Sequence, residues 1–345
     1  MLSKIGQVQF NNYNMNLQKR IELLLQLGKY LEENGTEWQE VKATATAKNS
    51  WFTTGFIDMA VKNIVVDYLQ KEKLEKWVAH YHLDDKIAAK NIGLVMAGNI
   101  PLVGFHDFLC VFISGHRQTI KLSAKDDVLL KHMVQKLSVW DDTTKKYILF
   151  AEMLKGCDAY IATGSNNSAR YFEQYFSRYP NIIRRNRTSV AVLTGSETTE
   201  ELNCLSDDVH LYFGLGCRNV TKLFVPEDYD FIPLLKAFDK YRYFEDHHKY
   251  KNNYDYQLSI ALLNNVYYMT NGSTLLIRNE ALFSAISQLH YSFFTDADQL
   301  IGELKKDGSI QCIIKKEGIE FGTAQNPGLM DYADGVDTME FLLTL

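Results

Sequence analysis

The sequence predicts an α/β protein built of two domains, with parallel sheets and a crevice between them. From residue 90 onward, short apolar runs alternate with helical stretches, the pattern of βαβ units whose sheet is covered on both faces. At 345 residues the chain exceeds one ordinary core, so two packed domains are expected. Several of the runs also end in small or polar residues just where a helix begins, which is where open α/β sheets bind ligands.

Taken in order, "MNLQKRIELLLQLGKYLEEN" sets Leu17, Ile21, Leu24 or Leu25, and Leu31 at helical spacing and should form a helix ending near Gly35. Two more helical stretches follow around "FIDMAVKNIVVDYLQKEKLEKWVAHY", so residues 1–90 read as a helical segment packed on the next domain. "IGLVMAG" is a strand, Pro101 opens a helix, and "RQTIKLS" is a second strand. "KDDVLLKHMVQKLSVW" is a helix with Asp126 and Asp127 in its first turn, where they favour the helix dipole. "AYIATG", "NNSARYFEQYF" and "SVAVLTG" then read as strand, helix and strand, completing a nucleotide-domain pattern over residues 91–214. A new block starts near residue 215 and runs to 325, from the strand "VTKLFVP" to the strand "IQCIIKK". The tail 326–345 ends in "DTMEFLLTL", read as an apolar strand that must pair with a sheet or a subunit interface.

Composition narrows the function. With 46% hydrophobic and 23% charged residues the chain is an ordinary globular one, not a disordered one. A net charge of −5 argues against binding nucleic acid, and "IIRRNR" at 182–187 reads as a solvated strand edge or loop. Five cysteines without a C-x-x-C pair fit a reducing compartment, taken as the cytoplasm, and no zinc site. The first residues lack the apolar core of a signal peptide, and no stretch reaches the roughly 18–20 apolar residues of a membrane span. "IPLVGFHDFLCVFISG" is therefore a buried helix.

Four segments could carry chemistry. "AGNIP" (97–101), "KLSAKDD" (121–127) and "TGSNNS" (163–168) each join a strand end to a helix start, where exposed N–H groups favour phosphates. Each also has a plain reading: Asn99 and Ser123 are good N-caps and Gly164-Ser165 a loop, and no G-x-G-x-x-G fingerprint is present. In "VHLYFGLGCRNVTKLFVP", Gly214 and Gly216 free the backbone just before Cys217, which sits at a junction rather than in a core. Cys110, Cys157 and Cys312 lie in apolar runs and read as core; His247 and His248 lie in a charged, solvated stretch, and His106 reads as making an internal hydrogen bond.

In their order along the chain, "MAGNIPL", "IKLSAKD", "ATGSNNSARYF" and "FGLGCRNVTKLFV" resemble the aldehyde dehydrogenase superfamily, and within it the long-chain acyl-CoA reductases of the bacterial luminescence type. The resemblance covers residues 90–345. It implies the superfamily fold, with Cys217 as the nucleophile and Asn99 donating to the oxygen that becomes charged in the intermediate. It further implies a site for NADPH, with NADH as the alternative, in which Lys121 and Ser123 hold the adenosine ribose or its phosphate. Thr163, Gly164 and Ser165 would lie near the pyrophosphate, with Gly195 at the next strand end, and Glu280 would take the nicotinamide ribose. A glutamate that activates water in aldehyde-oxidising members is absent: Val192 or Leu193 falls at its expected place in "VAVLTGSET", and Glu197 should point elsewhere.

The implied reaction is reduction of a long-chain acyl-CoA or acyl-protein thioester to the aldehyde, in a homo-oligomer served by an acyl-transferring partner protein. A carboxyl-phosphate reductase, a cofactor-free thiol acyltransferase and an inactive scaffold are the rival readings.

Overall fold

The computed structural model describes residues 15–345; the expectation about a leader falls on residues outside them. Four helices come first: α1 (Leu17–Glu33), α2 (Thr36–Lys48), α3 (Thr54–Asn63) and α4 (Lys71–His80). α3 runs on into a single π-helical turn, Ile64–Tyr68, a feature that helices often carry at functional sites.

The first sheet is built from β1 (Asn91–Val95), α5 (Phe105–Ser114), β2 (Arg117–Lys121), α6 (Leu129–Trp140), β3 (Ile148–Phe150), β4 (Ala159–Thr163), α7 (Asn166–Phe176) and β5 (Asn181–Arg184). Its strand order is β3-β2-β1-β4-β5 and every pairing is parallel. The order reverses between β1 and β4, so a crevice opens at their carboxyl ends. α5 is the buried helix expected from its sequence, with Phe105, Phe108 and Phe112 almost fully enclosed. It begins at Phe105, however, and Pro101 lies in the turn before it.

The second sheet takes β6 (Thr188–Val192), α8 (Thr199–His210), β7 (Val220–Val225), α9 (Phe231–Phe238), α10 (His248–Leu263), β8 (Tyr268–Thr270), β9 (Leu275–Arg278), β10 (Gln288–Phe293), α11 (Ala297–Leu304) and β11 (Ile310–Ile314). Its order is β11-β6-β7-β10-β9-β8, parallel except for the antiparallel β8–β9 edge. β6 belongs here, so the chain crosses between sheets at residues 185–187 and not near residue 215. Sequence alternation marks strands but not which sheet a strand joins, and "SVAVLTG" fits either.

The crossing also corrects the reading of "IIRRNR" as solvated. Arg184 is buried, its Nη1 2.5 Å from Asp107 Oδ2 on α5, with Nη2 2.8 Å from Thr338 Oγ1.

The tail is not a strand. Residues Thr338–Leu343 form a helix, α12, because Asp337 accepts the Glu340 N–H at 2.8 Å as an N-cap and Met339 and Leu342 share one face. That face packs on α5 within the same chain, and His116 Nε2 lies 2.9 Å from the Leu342 carbonyl. The route to a homo-oligomer through a shared tail strand lapses with the strand. Met339 is fully enclosed, so Met339→Ala should lower the unfolding free energy by about 2–5 kcal/mol, read from the urea midpoint. An unchanged midpoint would show that α12 lies loosely on the surface. Among the described residues no helix is long and apolar enough to cross a membrane.

Candidate active site

Cys217 lies in the turn between α8 and β7, half-buried, and the backbone leading to it is strained. Tyr212, Phe213 and Gly214 are all left-handed, with φ of 55°, 58° and 72°. For the two aromatic residues this costs about 1–3 kcal/mol each and persists only where packing over-determines it. The packing is present. The Phe213 ring lies 4.4 Å from His247, 4.5 Å from Phe244, 5.0 Å from Phe56 and 5.2 Å from Trp51, centroid to centroid. Trp51 and Phe56 come from the N-terminal helical segment, so that segment grips the turn that presents the cysteine. His247 is likewise no solvated loop residue; it caps α10 and stacks on this cluster.

Buried polar groups fix the rest of the loop. Asn219, fully enclosed, accepts the Gly216 N–H at 2.8 Å and donates to the carbonyls of Leu211 and Asp208 at 2.9 and 3.0 Å. Ser189 at the start of β6 donates to the Cys217 carbonyl at 3.1 Å. Asp208 accepts the N–H groups of Gly322 and Ala324 at 2.6 and 3.0 Å, hanging the segment that carries Gln325 beside Gly216.

Asn99 caps no helix. Its Nδ2 donates to the Leu215 carbonyl at 2.6 Å, joining the loop after β1 to the cysteine loop across the two sheets. An amide nitrogen carries two hydrogens, so one remains for a ligand. The turn that follows is held by Asp126, whose Oδ2 accepts the N–H of Leu102 at 2.7 Å, a residue itself at φ 58°. Asp126 is thus an enclosed clamp, not a first-turn helix acid: α6 starts only at Leu129, and burial pushes the Asp126 carboxyl up to about 7. Its other oxygen, Oδ1, has no partner among the described residues.

A groove of about 160 Å³ opens onto Cys217. Its walls are mainly apolar, from the π-helical turn (Ile64, Tyr68), the Asn99 loop (Ile100 to Val103) and Tyr212, with His106, Arg218, Gln325 and Asp331 as polar members. His106 makes the internal bond expected of it, Nε2 2.9 Å from the Leu329 carbonyl, and also faces this groove. Burial pushes the Cys217 thiol above its ordinary value, Arg218 pulls it down, and Cys312 and Asp334 push it up.

The remaining expected residues gather at strand ends. Lys121 ends β2, exposed, its side chain without a partner among the described residues; Ser123 follows it, packed so closely on Gly98 that a side chain there would meet its hydroxyl at 2.7 Å. Thr163 ends β4, and Ser165 caps α7 by accepting the Ser168 N–H at 3.3 Å, with Gly164 between them. The loops after β1, β2 and β4 therefore meet at the carboxyl edge of the first sheet, where the α7 N-terminus is exposed, which fits a dinucleotide. Gly195 and Glu280 are exposed after β6 and β9, at the carboxyl edge of the second sheet. The structure thus joins Asn99 to the Cys217 loop and groups the residues of the first sheet, while Gly195 and Glu280 stand on the other sheet.

The register relocates the position where a water-activating acid was sought. Val192 pairs with Phe224, at the far end of β7 from Cys217, whereas Ser189 pairs with Val220 and contacts the Cys217 carbonyl. The stretch level with the thiol is therefore the crossing, residues 183–189, which holds arginines and no carboxylate. Glu197 is bound back on its own turn, accepting the N–H groups of Thr194 and Gly195 at 2.6 and 3.0 Å. Two carboxylates stand at this end of the groove, and both are engaged: Asp331 Oδ2 accepts the Gly328 N–H at 2.7 Å, and Asp334 lies 3.2 Å from Arg187.

No family model matches the chain, and neither does any curated protein sequence. Solved structures do. The chain is similar to aldehyde dehydrogenase 21 of Physcomitrella patens in complex with the reaction product succinate, with a TM-score of 0.65 at 11% identity over 88% of this chain and 74% of that one. It is similar to the P. syringae indole-3-acetaldehyde dehydrogenase in complex with NAD+ and IAA, at 0.64 and 11% over 86% and 71%. A Bacillus cereus aldehyde dehydrogenase gives 0.63 and 12% over 87% and 72%. The chain has the aldehyde dehydrogenase fold, as the sequence predicts.

Proposed function

We propose that this protein is a nicotinamide-dependent oxidoreductase that reduces a long-chain acyl thioester, acyl-CoA or acyl-protein, to its aldehyde through an acyl-Cys217 intermediate. The observation that carries the reading is the Asn99–Leu215 bond, which ties a carboxamide from the first sheet to the loop of a free cysteine at the mouth of an apolar groove. An apolar groove suits an acyl chain better than the small polar substrate of a carboxyl-phosphate reductase.

In the mechanism, the thiolate of Cys217 attacks the thioester carbon; the carbon–sulfur bond forms, and the carrier thiolate leaves with its electron pair. The free N–H of Asn99 and the backbone N–H of Cys217 meet the charge that builds on the oxygen, and the strained turn holds both donors in place beforehand. Lys121, Ser123, Thr163, Gly164 and Ser165 would hold the reduced nicotinamide cofactor, with Glu280 toward its ribose; when bound, it supplies hydride. NAD+ in the P. syringae structure supports this choice of cofactor class, and the exposed cation of Lys121, without an acid partner among the described residues, supports NADPH. The groove walls exclude water from the acyl-enzyme.

Oxidation of NADPH measured with acyl-CoAs of increasing chain length tests the function; no oxidation with any of them, and none with acyl-carrier protein, would overturn it. With both nearby carboxylates engaged, acyl-CoA alone should release about one equivalent of free thiol per site and then nearly stop. Steady hydrolysis would instead assign a water-activating base to Asp331 or Asp334.

A further inference from the structure

A buried thiol needs something to hold its anion, and the crossing beside Cys217 holds no carboxylate to take its proton. It does hold charge of the other sign. Arg184, Arg185 and Arg187 each meet an acid: Asp107, Glu173 and Asp334. Arg218 does not. This residue follows the cysteine, lines the same groove, and sets its guanidinium with Nη1 3.4 Å from Cys312 Sγ and Nη2 3.2 Å from the Asp331 carbonyl. Neither partner neutralises it, and among the described residues it enters no ion pair. The two contacts fix the plane of the group and leave it without a directly paired counter-ion at the edge of a largely apolar groove, where charges are screened less than in open water.

We propose that Arg218 is the electrostatic partner of Cys217, favouring its thiolate against the burial that opposes it and so easing ionisation when the nucleophile is needed. The proposal rests on reading Cys217 as the nucleophile. On ionisation the S–H bond breaks, the electron pair stays on sulfur, and the proton leaves to solvent at the groove mouth; no resident base is needed. The influences on the thiol are opposed, and Arg218 is the cationic one among them. Arg218 from its own loop favours the anion, while Cys312 from β11, Asp334 from the C-terminal segment, and burial itself oppose it. The same guanidinium could instead grip an anionic part of a substrate, and that alternative has a different signature.

The test is the rate of Cys217 alkylation by iodoacetamide, followed by peptide mass spectrometry from about pH 6 to pH 10 in wild type, Arg218→Met, Arg218→Gln and Arg218→Lys. Both neutral variants should move the profile upward by about one pH unit or more, a roughly tenfold slower reaction near pH 7.5, and Arg218→Lys should recover most of it. Two neutral replacements guard against one failing to fold, and melting temperature is measured on each. Folded neutral variants with the wild-type profile would overturn the proposal; a raised KM for acyl-CoA with that same profile would give Arg218 to substrate binding instead. Failure of the underlying reading looks different, since Cys217→Ala would then keep its reductase activity.

Discussion

Replacing Cys217 by alanine is expected to reduce thioester reduction by on the order of 10⁴–10⁶-fold, to background, because covalent catalysis loses the atom on which it turns. The fold should survive. The loop backbone is held by Asn219, by Ser189 and by the aromatic cluster around Phe213, none of which uses the sulfur. No other thiol can substitute: Cys110, Cys157 and Cys312 are buried, and Cys204 sits exposed on α8 against Gly322. Reductase rate, melting temperature and cofactor binding by fluorescence, measured on one preparation, check the expectation. Full activity would remove the acyl-cysteine intermediate.

The second large effect is at Asn99. Asn99→Ala should lower the reduction rate by roughly 10²–10³-fold, the cost of one oxyanion donor. A helix cap would give a different result, a stability loss of about 0.5–2 kcal/mol with turnover per folded molecule unchanged. The structure sharpens this contrast, since α5 begins at Phe105 with Gly104 at its cap position and Asn99 spends its side chain on Leu215. Losing that bond should cost about 1 kcal/mol. Near-normal turnover with a lower melting point would reduce Asn99 to a strut between the sheets.

Much of this architecture is legible in the residues because strand-then-helix alternation is local. β1, β2, β4, β6, β7 and β11 fall where short apolar runs predict them, and Cys217 stands out because two glycines precede it. What the sequence hides is long-range. The likeness of "VAVLTGSET" to the superfamily's strand puts the missing acid's place at Val192 or Leu193; only the pairing of Ser189 with Val220 shows which end of β6 meets the cysteine. Asp126 reads as a helix-start acid, and nothing local says that it reaches back across 24 residues to Leu102. Trp51, in the turn between α2 and α3, and Phe56 on α3 belong to a segment with generic patterning, yet they grip a turn more than 150 residues away. The tail misleads in another way. "DTMEFLLTL" is apolar enough for a strand, and only the D-T-M-E start signals the cap that makes it a helix.

The position of α12 has a consequence for how the chain is made. Synthesis runs from the amino end, and the first sheet is complete by residue 184 with α1 already against α5, but the side of α5 that α12 covers stays open until residues 338–342 are made. The His116–Leu342 bond spans 226 positions, and the whole second sheet is translated in between. A nascent chain therefore carries an open apolar face through the making of its other half, a clientele that chaperones recognise. The first sheet precedes the second along the chain, yet its α5 is closed by a helix that follows the second, so its packing is completed only after the second sheet has been made.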